Sequence, residues 1–222
     1  MSRVSTGKYG GRSAAQRRAE RRERFLDAGL ELIGSRGWSA TTVRGVCVEA
    51  GLTSRFFYES FDNLDALAVA VFDRVAEDAT ERVLRALAAA PADTESRVRA
   101  AIEALVGALT DDPRNGRVAF IEAFGCEALL QRRQATMGRF ARLIADQARS
   151  AVELPAGEDP LIDLTGRLLA GGLAELLIAW LQGEIEIGRE RLIDDCVALF
   201  TATAKSAVVL ARTRRQRVAR ER

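Results

Sequence analysis

The side chains with the clearest chemical potential lie between Thr42 and Phe61. Two short helical patterns meet there at Gly51, and Thr53 stands at the start of the second one. A helix that opens on hydroxyl and guanidinium groups can reach phosphates and base edges, because its N-terminus attracts anions and arginine pairs bidentately with guanine. The spacing therefore predicts a helix-turn-helix that contacts double-stranded DNA. The candidate contacts are Thr42, Arg44, Thr53, Ser54, Arg55 and Tyr58.

These candidates divide between base reading and phosphate binding. Arg55 is the candidate for a guanine contact, while Thr42, Thr53 and Tyr58 suit phosphates, which hold the register without reading sequence. Arg44 lies on the predicted exposed face of the first short helix. The alternative is an ordinary helical corner whose arginine and threonine side chains simply face water, because helix pairs with a glycine turn are common.

The charge distribution favours a polyanionic partner. Residues 1–24 hold eight basic side chains against two acidic ones, and residues 205–222 hold seven against one. The net charge of the whole chain is only +2, so the middle of the chain is acidic. Basic ends on an acidic body indicate that at least one end meets a polyanion. A solvated tail is the alternative for residues 205–222.

Several function classes are disfavoured by composition. The sequence contains no histidine, which removes the commonest metal ligand and the usual general base, so we predict no metal, no cofactor and no enzymatic activity. Cys47, Cys126 and Cys196 are widely spaced within apolar helical patterns. We expect reduced cysteines used as small core residues, with a redox switch as the alternative.

Apolar periodicity near 3.6 residues and the presence of only four prolines predict an all-α fold of about nine helices. No apolar run reaches the ~18 residues that cross a membrane, and no secretory signal is recognisable, so a cytoplasmic location without membrane contact is expected. The predicted organisation is a disordered basic arm at 1–12, a helix-turn-helix domain at 13–63, a helical ligand-binding and dimerisation domain at 64–213, and a basic tail at 214–222.

Five runs in the N-terminal third carry a family resemblance. They are FLDAGLELIGSRGW at 25–38, TTVR at 41–44, EAGLT at 49–53, FYESF at 57–61 and NLDAL at 63–67. Together they resemble the DNA-binding domain of the tetracycline-repressor (TetR) family. The resemblance implies an all-helical homodimer, usually a repressor, that leaves DNA when a small molecule binds the C-terminal body.

Three positions depart from that pattern. Arg55 and Phe56 replace the Gly-Thr pair that often precedes the aromatic pair of the second short helix, and Leu64 stands where members often carry lysine. Phe56 could touch a thymine methyl group or pack internally. Gly45 lies inside the first short helix, where it costs roughly 1 kcal/mol relative to alanine.

The C-terminal half supplies two further sets of candidates. The last two helices are apolar over more than one face, which predicts a four-helix interface between two subunits, with intramolecular core as the alternative. The proposed interface residues are Leu169, Leu173, Leu177, Trp180, Cys196 and Phe200. By the resemblance, the middle helices form a ligand pocket with the apolar candidates Ile102, Leu105, Phe120, Phe124, Met137 and Phe140.

The function predicted from the sequence is a TetR-like regulator that binds a palindromic operator as a homodimer and is released by a small apolar effector. Two alternatives stay open. One is an architectural nucleic-acid-binding protein without sequence preference, and the other is a helical-bundle enzyme. A repressor should prefer one palindrome by orders of magnitude over random DNA, whereas an architectural protein should not.

Overall fold

The computed structural model describes residues 13–152 and 160–220. These residues form nine α-helices and no β-strand, as the sequence predicts. Among them, no helix is long and apolar enough to span a membrane. The helices are α1 (Ala14–Arg36), α2 (Val43–Ala50), α3 (Ser54–Tyr58), α4 (Leu64–Ala89), α5 (Thr94–Thr110), α6 (Pro113–Gly116), α7 (Glu127–Val152), α8 (Pro160–Leu181) and α9 (Arg189–Arg220).

Local capping chemistry explains where most helices begin. Ser13 and Gln16 form a reciprocal capping box at the start of α1. The side chains of Asn63 and Asp93 each accept a hydrogen bond from a backbone amide at 2.8 Å, at the starts of α4 and α5. Asp112 caps α6, whose first residue is a proline. These capping signals are readable in the sequence, because each capping residue lies directly before the helix that it begins.

Three aromatic rings form the centre of the head, which we define as residues 13–63. Phe25 meets Phe57 and Phe61 edge to face, with ring centroids 5.5 and 6.4 Å apart. Phe25 and Phe57 are completely buried. Edge-to-face pairs of this kind add to the free energy gained from burial alone. The aromatic cluster therefore fixes α1 against the short helices α2 and α3.

The head joins the body, residues 64–220, through a close crossing of α1 and α4. A Cβ placed on Gly29 would lie 2.8 Å from Cγ2 of Val71, whose side chain is fully buried. Only glycine allows the two helices to approach this closely. In the body, α4, α5, α7, α8 and α9 pack around one another and α7 lies against α8 over much of its length.

Two predicted boundaries need correction. The apolar pattern of the sequence predicts one helix at 113–124, but the segment is α-helical only to Gly116, after which Arg117–Ile121 forms a wider π-helical turn and Glu122–Phe124 a 3₁₀ turn. The same pattern predicts that the last helix ends near residue 213, but this helix continues to Arg220. The predicted basic arm at 1–12 and residues 221–222 of the basic tail lie outside the described residues.

The cysteines are free thiols in the structure. Cys47 and Cys196 are buried, and burial raises the pKa of both thiols, which disfavours the reactive thiolate. A carboxylate at Asp195 raises the pKa of Cys196 further. These environments favour the prediction of core residues over that of a redox switch.

Candidate DNA-binding surface and ligand cavity

The two short helices of the head meet at a tight glycine turn. Thr42 begins α2 and its Oγ1 accepts a hydrogen bond from the backbone N–H of Gly45 at 3.1 Å. Gly51 ends α2 with φ of +60°, in the left-handed region that other residues adopt only with strain. Thr53, with extended backbone, is the N-cap residue of α3, but its hydroxyl makes no capping hydrogen bond.

All six predicted DNA contacts are exposed on the head. Arg44, Thr53 and Ser54 line one shallow depression between α2 and the start of α3. The side chain of Arg55 is 84% exposed, and its Nε donates a hydrogen bond to Glu59 at 3.2 Å. Tyr58 is exposed and rests edge-on against the ring of Phe57. The surface can therefore present hydroxyl, guanidinium and phenol groups to one partner.

Val48 is a further candidate that the sequence interpretation missed. This side chain is 76% exposed, the most exposed of the large apolar side chains that the structure describes. It lines the same depression as Arg44 and Ser54. An exposed branched side chain at that place can contact a thymine methyl group. The sequence signal that indicates it is a valine at a position of the amphipathic helix α2 that lies off the buried face.

Arginines at the N-terminal end of α1 hold the short helices in place. Arg24 donates hydrogen bonds to the backbone carbonyls of Ala50 and Gly51, at 2.5 and 3.3 Å. The guanidinium of Arg21 lies 4.4 Å from the ring centre of Phe56, so this half-buried ring packs against α1. Part of the N-terminal positive charge thus supports the head internally. The sequence interpretation expected at least one basic end to meet a polyanion and did not foresee these internal contacts.

An apolar cavity of about 200 Å³ lies inside the body. Its walls come from α4, α5, α7, α8 and α9 together with the π-helical turn. Five of the six predicted ligand contacts line it, namely Ile102, Leu105, Phe120, Met137 and Phe140. Phe124 does not, because it is 55% exposed and its ring lies under the guanidinium of Arg133, with a centroid distance of 4.6 Å.

The predicted dimer-interface residues mostly face the interior of the subunit, which corrects their assignment. Leu169, Leu173, Leu177 and Cys196 are at most 8% exposed, and the three leucines line the cavity with the half-buried Phe200. The indole N–H of the half-buried Trp180 donates to the carbonyl of Ile187 at 2.7 Å. The outer faces of α8 and α9 instead expose another set of side chains: Leu164, Leu168, Leu199, Val209 and Leu210.

The segment that forms one cavity wall also contacts the head. Glu122 accepts hydrogen bonds from the backbone N–H of Trp38 at 2.8 Å and from Arg117 at 3.0 Å. Arg117 in turn donates to the carbonyl of Ser35 at the end of α1, at 3.2 Å. Phe120, between these two side chains in sequence, lines the cavity. A single π-helical turn therefore touches both the cavity and the head.

Arg114 makes a second junction between the two regions. It pairs with Glu31 of α1 at 2.7 Å and with Asp112 at 2.6 Å. Hydrogen bonds from Arg114 hold the pKa of both carboxyls below their usual values.

In the part of the chain that the structure describes, no group of three acidic or cysteine side chains is placed to hold a metal ion.

Comparison with known proteins gives the family of the head. Residues 25–71 match the model of bacterial regulatory proteins of the tetR family. This segment contains all of α2 and α3 and every predicted DNA contact. None of the curated proteins compared with this chain matches it.

Solved structures share the fold over most of the chain. A transcriptional regulator from Pseudomonas aeruginosa PAO1 is 21% identical, with a TM-score of 0.70 over 85% of this chain and 92% of its own. The fatty acid degradation regulator FadR from Bacillus halodurans is 15% identical, with a TM-score of 0.70 over 86% and 96%. The regulator FadR from Bacillus subtilis in complex with stearoyl-CoA is 18% identical, with a TM-score of 0.64 over 84% and 97%.

The fold of these regulators extends through the body, while the family match lies in the head. The family match confirms the resemblance seen in the sequence of the head, and the solved structures share the fold of head and body. Because the matched segment contains the complete α2–α3 motif, we conclude that the head of this chain is similar to bacterial regulatory proteins of the tetR family over its helix-turn-helix.

Proposed function

We propose that this regulator is a cytoplasmic repressor that binds a palindromic operator as a homodimer and leaves it when a small molecule with an apolar body enters the cavity. The observation that carries the proposal is the π-helical turn that touches both the cavity and the head. Phe120 faces the cavity, while Arg117 and Glu122 bind the end of α1 and the segment after it. A ligand that moves this turn would therefore change the position of the head.

The DNA-binding part of the proposal rests on the exposed surface of α2 and α3. The N-terminus of α3 would lie in the major groove with Arg55 at a guanine edge, and Thr42, Thr53 and Tyr58 would bind phosphates. The hydroxyl of Thr53 is available because it makes no capping hydrogen bond. We keep the basic arm at 1–12 as a proposed source of further phosphate contacts.

The homodimer rests on the exposed apolar faces of α8 and α9. Leu168 is 68% exposed and Leu199 is 59% exposed, and Gly171 and Gly172 between them have open space around them. Large apolar side chains exposed on two neighbouring helices support a site of association, and small residues permit close helix packing. Two copies of this face would form a four-helix interface and would space two heads for a palindrome.

Proteins of similar structure that were solved with bound small molecules also support a ligand-binding role for the body. One regulator of the same fold was solved with stearoyl-CoA, and another similar protein is described as the multidrug binding protein EbrR, complexed with imidazole. The effector of this chain would use the apolar cavity between α4, α5, α7 and α8. An architectural role without sequence preference is the competing hypothesis for the head.

Selection of bound sequences from random DNA tests the repressor proposal against the architectural one. We expect enrichment of a single palindrome whose binding weakens when a metabolite extract is added. Recovery of unrelated sequences at equal affinity would reject sequence-specific repression.

The dimer face has its own test. Leu168→Glu should give monomers in sedimentation, whereas Leu84→Glu, an equally apolar exposed position on α4, should leave the oligomeric state unchanged. If the Leu168→Glu variant remained a dimer, the interface would lie on another surface of the chain.

A further inference from the structure

The charged groups of the cavity wall all carry the same sign. Among the described residues that line it, Arg97 and Arg133 are the charged side chains and neither aspartate nor glutamate is present. Almost every other lining side chain is apolar. A cation inside such a cavity would lose its hydration without gaining a counterion, whereas an anion would find one.

The two arginines occupy opposite ends of an elongated space. Arg97 donates hydrogen bonds to the carbonyl of Leu87 and to Gln147, at 3.2 and 2.5 Å. Arg132, the residue before Arg133, pairs with Asp73. Asp73 lies in the first half of α4, whereas Leu87 lies near the end of that helix. Along α5 the lining residues run from position 94 to position 109. At ~1.5 Å of helix rise per residue, that stretch is about 22 Å long.

Arg133 is the arginine that has a buried N–H group without a partner among the described residues. Its Nε is buried and has no hydrogen-bond partner among the described residues, and no carboxylate there lies within ion-pair distance. The ring of Phe124 packs against its guanidinium at 4.6 Å and limits its movement. Leaving a buried N–H unpaired destabilises the protein, and a ligand that accepts a hydrogen bond from it removes that penalty. Arg97, in contrast, already has two partners within the protein.

We infer that the cavity binds a slender amphiphile with a terminal carboxylate, such as a free fatty acid, whose carboxylate accepts hydrogen bonds from Arg133 and whose chain extends toward Arg97. This inference rests on the proposed ligand-responsive function and names its ligand class. At ~30 Å³ for each water-sized group, a cavity of about 200 Å³ suits a chain of roughly seven carbons beyond the carboxylate. Octanoate is therefore the appropriate first probe.

The test compares octanoate, 1-octanol, octylamine and octanoyl-coenzyme A by calorimetric titration of the full chain without DNA. These probes share their apolar chain and differ at its head. We expect octanoate to bind at least about ten-fold more tightly than octanol, because the hydrogen bonds to a carboxylate are charge-assisted. Octylamine should bind most weakly. The thioester should bind less tightly than octanoate, because its carbonyl is neutral.

Three variants locate the carboxylate. Arg133→Gln should retain octanol binding and lose the preference for octanoate, while Arg133→Lys should retain part of that preference. Arg97→Gln should keep the preference, as should Arg142→Gln, which removes an exposed charge from α7 outside the cavity. Octanol binding and thermal unfolding establish that each variant is folded.

Three outcomes would overturn the inference. They are equal binding of octanoate and octanol, an unchanged preference in Arg133→Gln, and tighter binding of the thioester than of the free acid. Because these titrations contain no DNA, they are independent of the repressor proposal. Carboxylate binding at Arg133 without any effect on operator affinity would reject the release mechanism and leave the site assignment intact.

Discussion

In the head, Phe25, Phe57 and Phe61 close the interior with ring-centre distances between 5.5 and 6.4 Å. The body, built from the same kind of helix, keeps a cavity of about 200 Å³ between its helices. A filled interior holds exposed side chains in fixed positions, as base recognition requires. An interior with space can bind a ligand and change shape when it does so. The comparison teaches that the two tasks proposed for this chain fall on regions that differ in how completely their interiors are filled.

The largest expected effect comes from truncating a ring in each region. Phe57→Ala removes a completely buried ring and should lower the free energy of unfolding by about 3–5 kcal/mol. Phe140→Ala should cost clearly less, because this half-buried ring already faces the cavity. Urea denaturation of both variants measures the difference. Equal losses would contradict the contrast between a filled head and an open body.

Adding volume to each region should have opposite consequences. Gly29→Ala forces a Cβ to within 2.8 Å of Val71 and should destabilise the protein by about 1–3 kcal/mol, although alanine is the better helix former. Ala79→Leu directs its added carbons toward the cavity, so stability should be retained and octanoate binding should weaken. Thermal unfolding and calorimetry provide the measurements. A strongly destabilised Ala79→Leu would indicate that the cavity wall is rigid.

The junction between the regions should be sensitive to Glu122. Glu122→Ala leaves the backbone N–H of Trp38 without its partner and should cost about 1–3 kcal/mol in urea denaturation. Glu81→Ala, at an exposed position on α4, is the matched control and should have little effect. If both variants behave alike, the contact between Glu122 and the head contributes nothing measurable.

The smallest expected effect is a pH dependence at the second junction. Because Arg114 lowers the pKa of Glu31 and Asp112, their contribution to stability is present above the unfolded pKa values near ~4 and is lost as the pH falls through the lower folded values. Arg114→Met should therefore be less stable than the parent at pH 7 and approach its stability in acid, as both carboxyls become protonated. Arg85→Met, an exposed position, serves as the control. A difference that persists unchanged in acid would exclude this ion-pair origin.

The parts of the fold that sequence predicts well depend on local chemistry. Asn63, Asp93 and the Asp112-Pro113 pair mark helix starts through hydrogen bonds to residues two or three positions away. The left-handed turn at Gly51 is equally local. The head was therefore predictable nearly to the residue, including the exposure of its six candidate contacts.

The orientation of the apolar stripes was not predictable in the same way. The α8 helix carries leucines on both faces, and periodicity alone does not distinguish Leu168, which is exposed, from Leu169, which lines the cavity. Contacts between distant residues have no sequence signature either. The packing of Phe56 under Arg21 and of Phe124 under Arg133 depends on which helices become neighbours.

The most direct test of the account is the equilibrium affinity of Arg55→Ala for the selected palindrome and for random duplex DNA, at one fixed salt concentration. Loss of a bidentate guanine contact should weaken palindrome binding by roughly 1–3 kcal/mol while affinity for random DNA falls much less. Arg142→Ala, which removes a charge from the body, should change neither affinity by a comparable amount. Equal weakening on both DNAs, or unchanged binding to the palindrome, would contradict sequence reading by the α2–α3 surface.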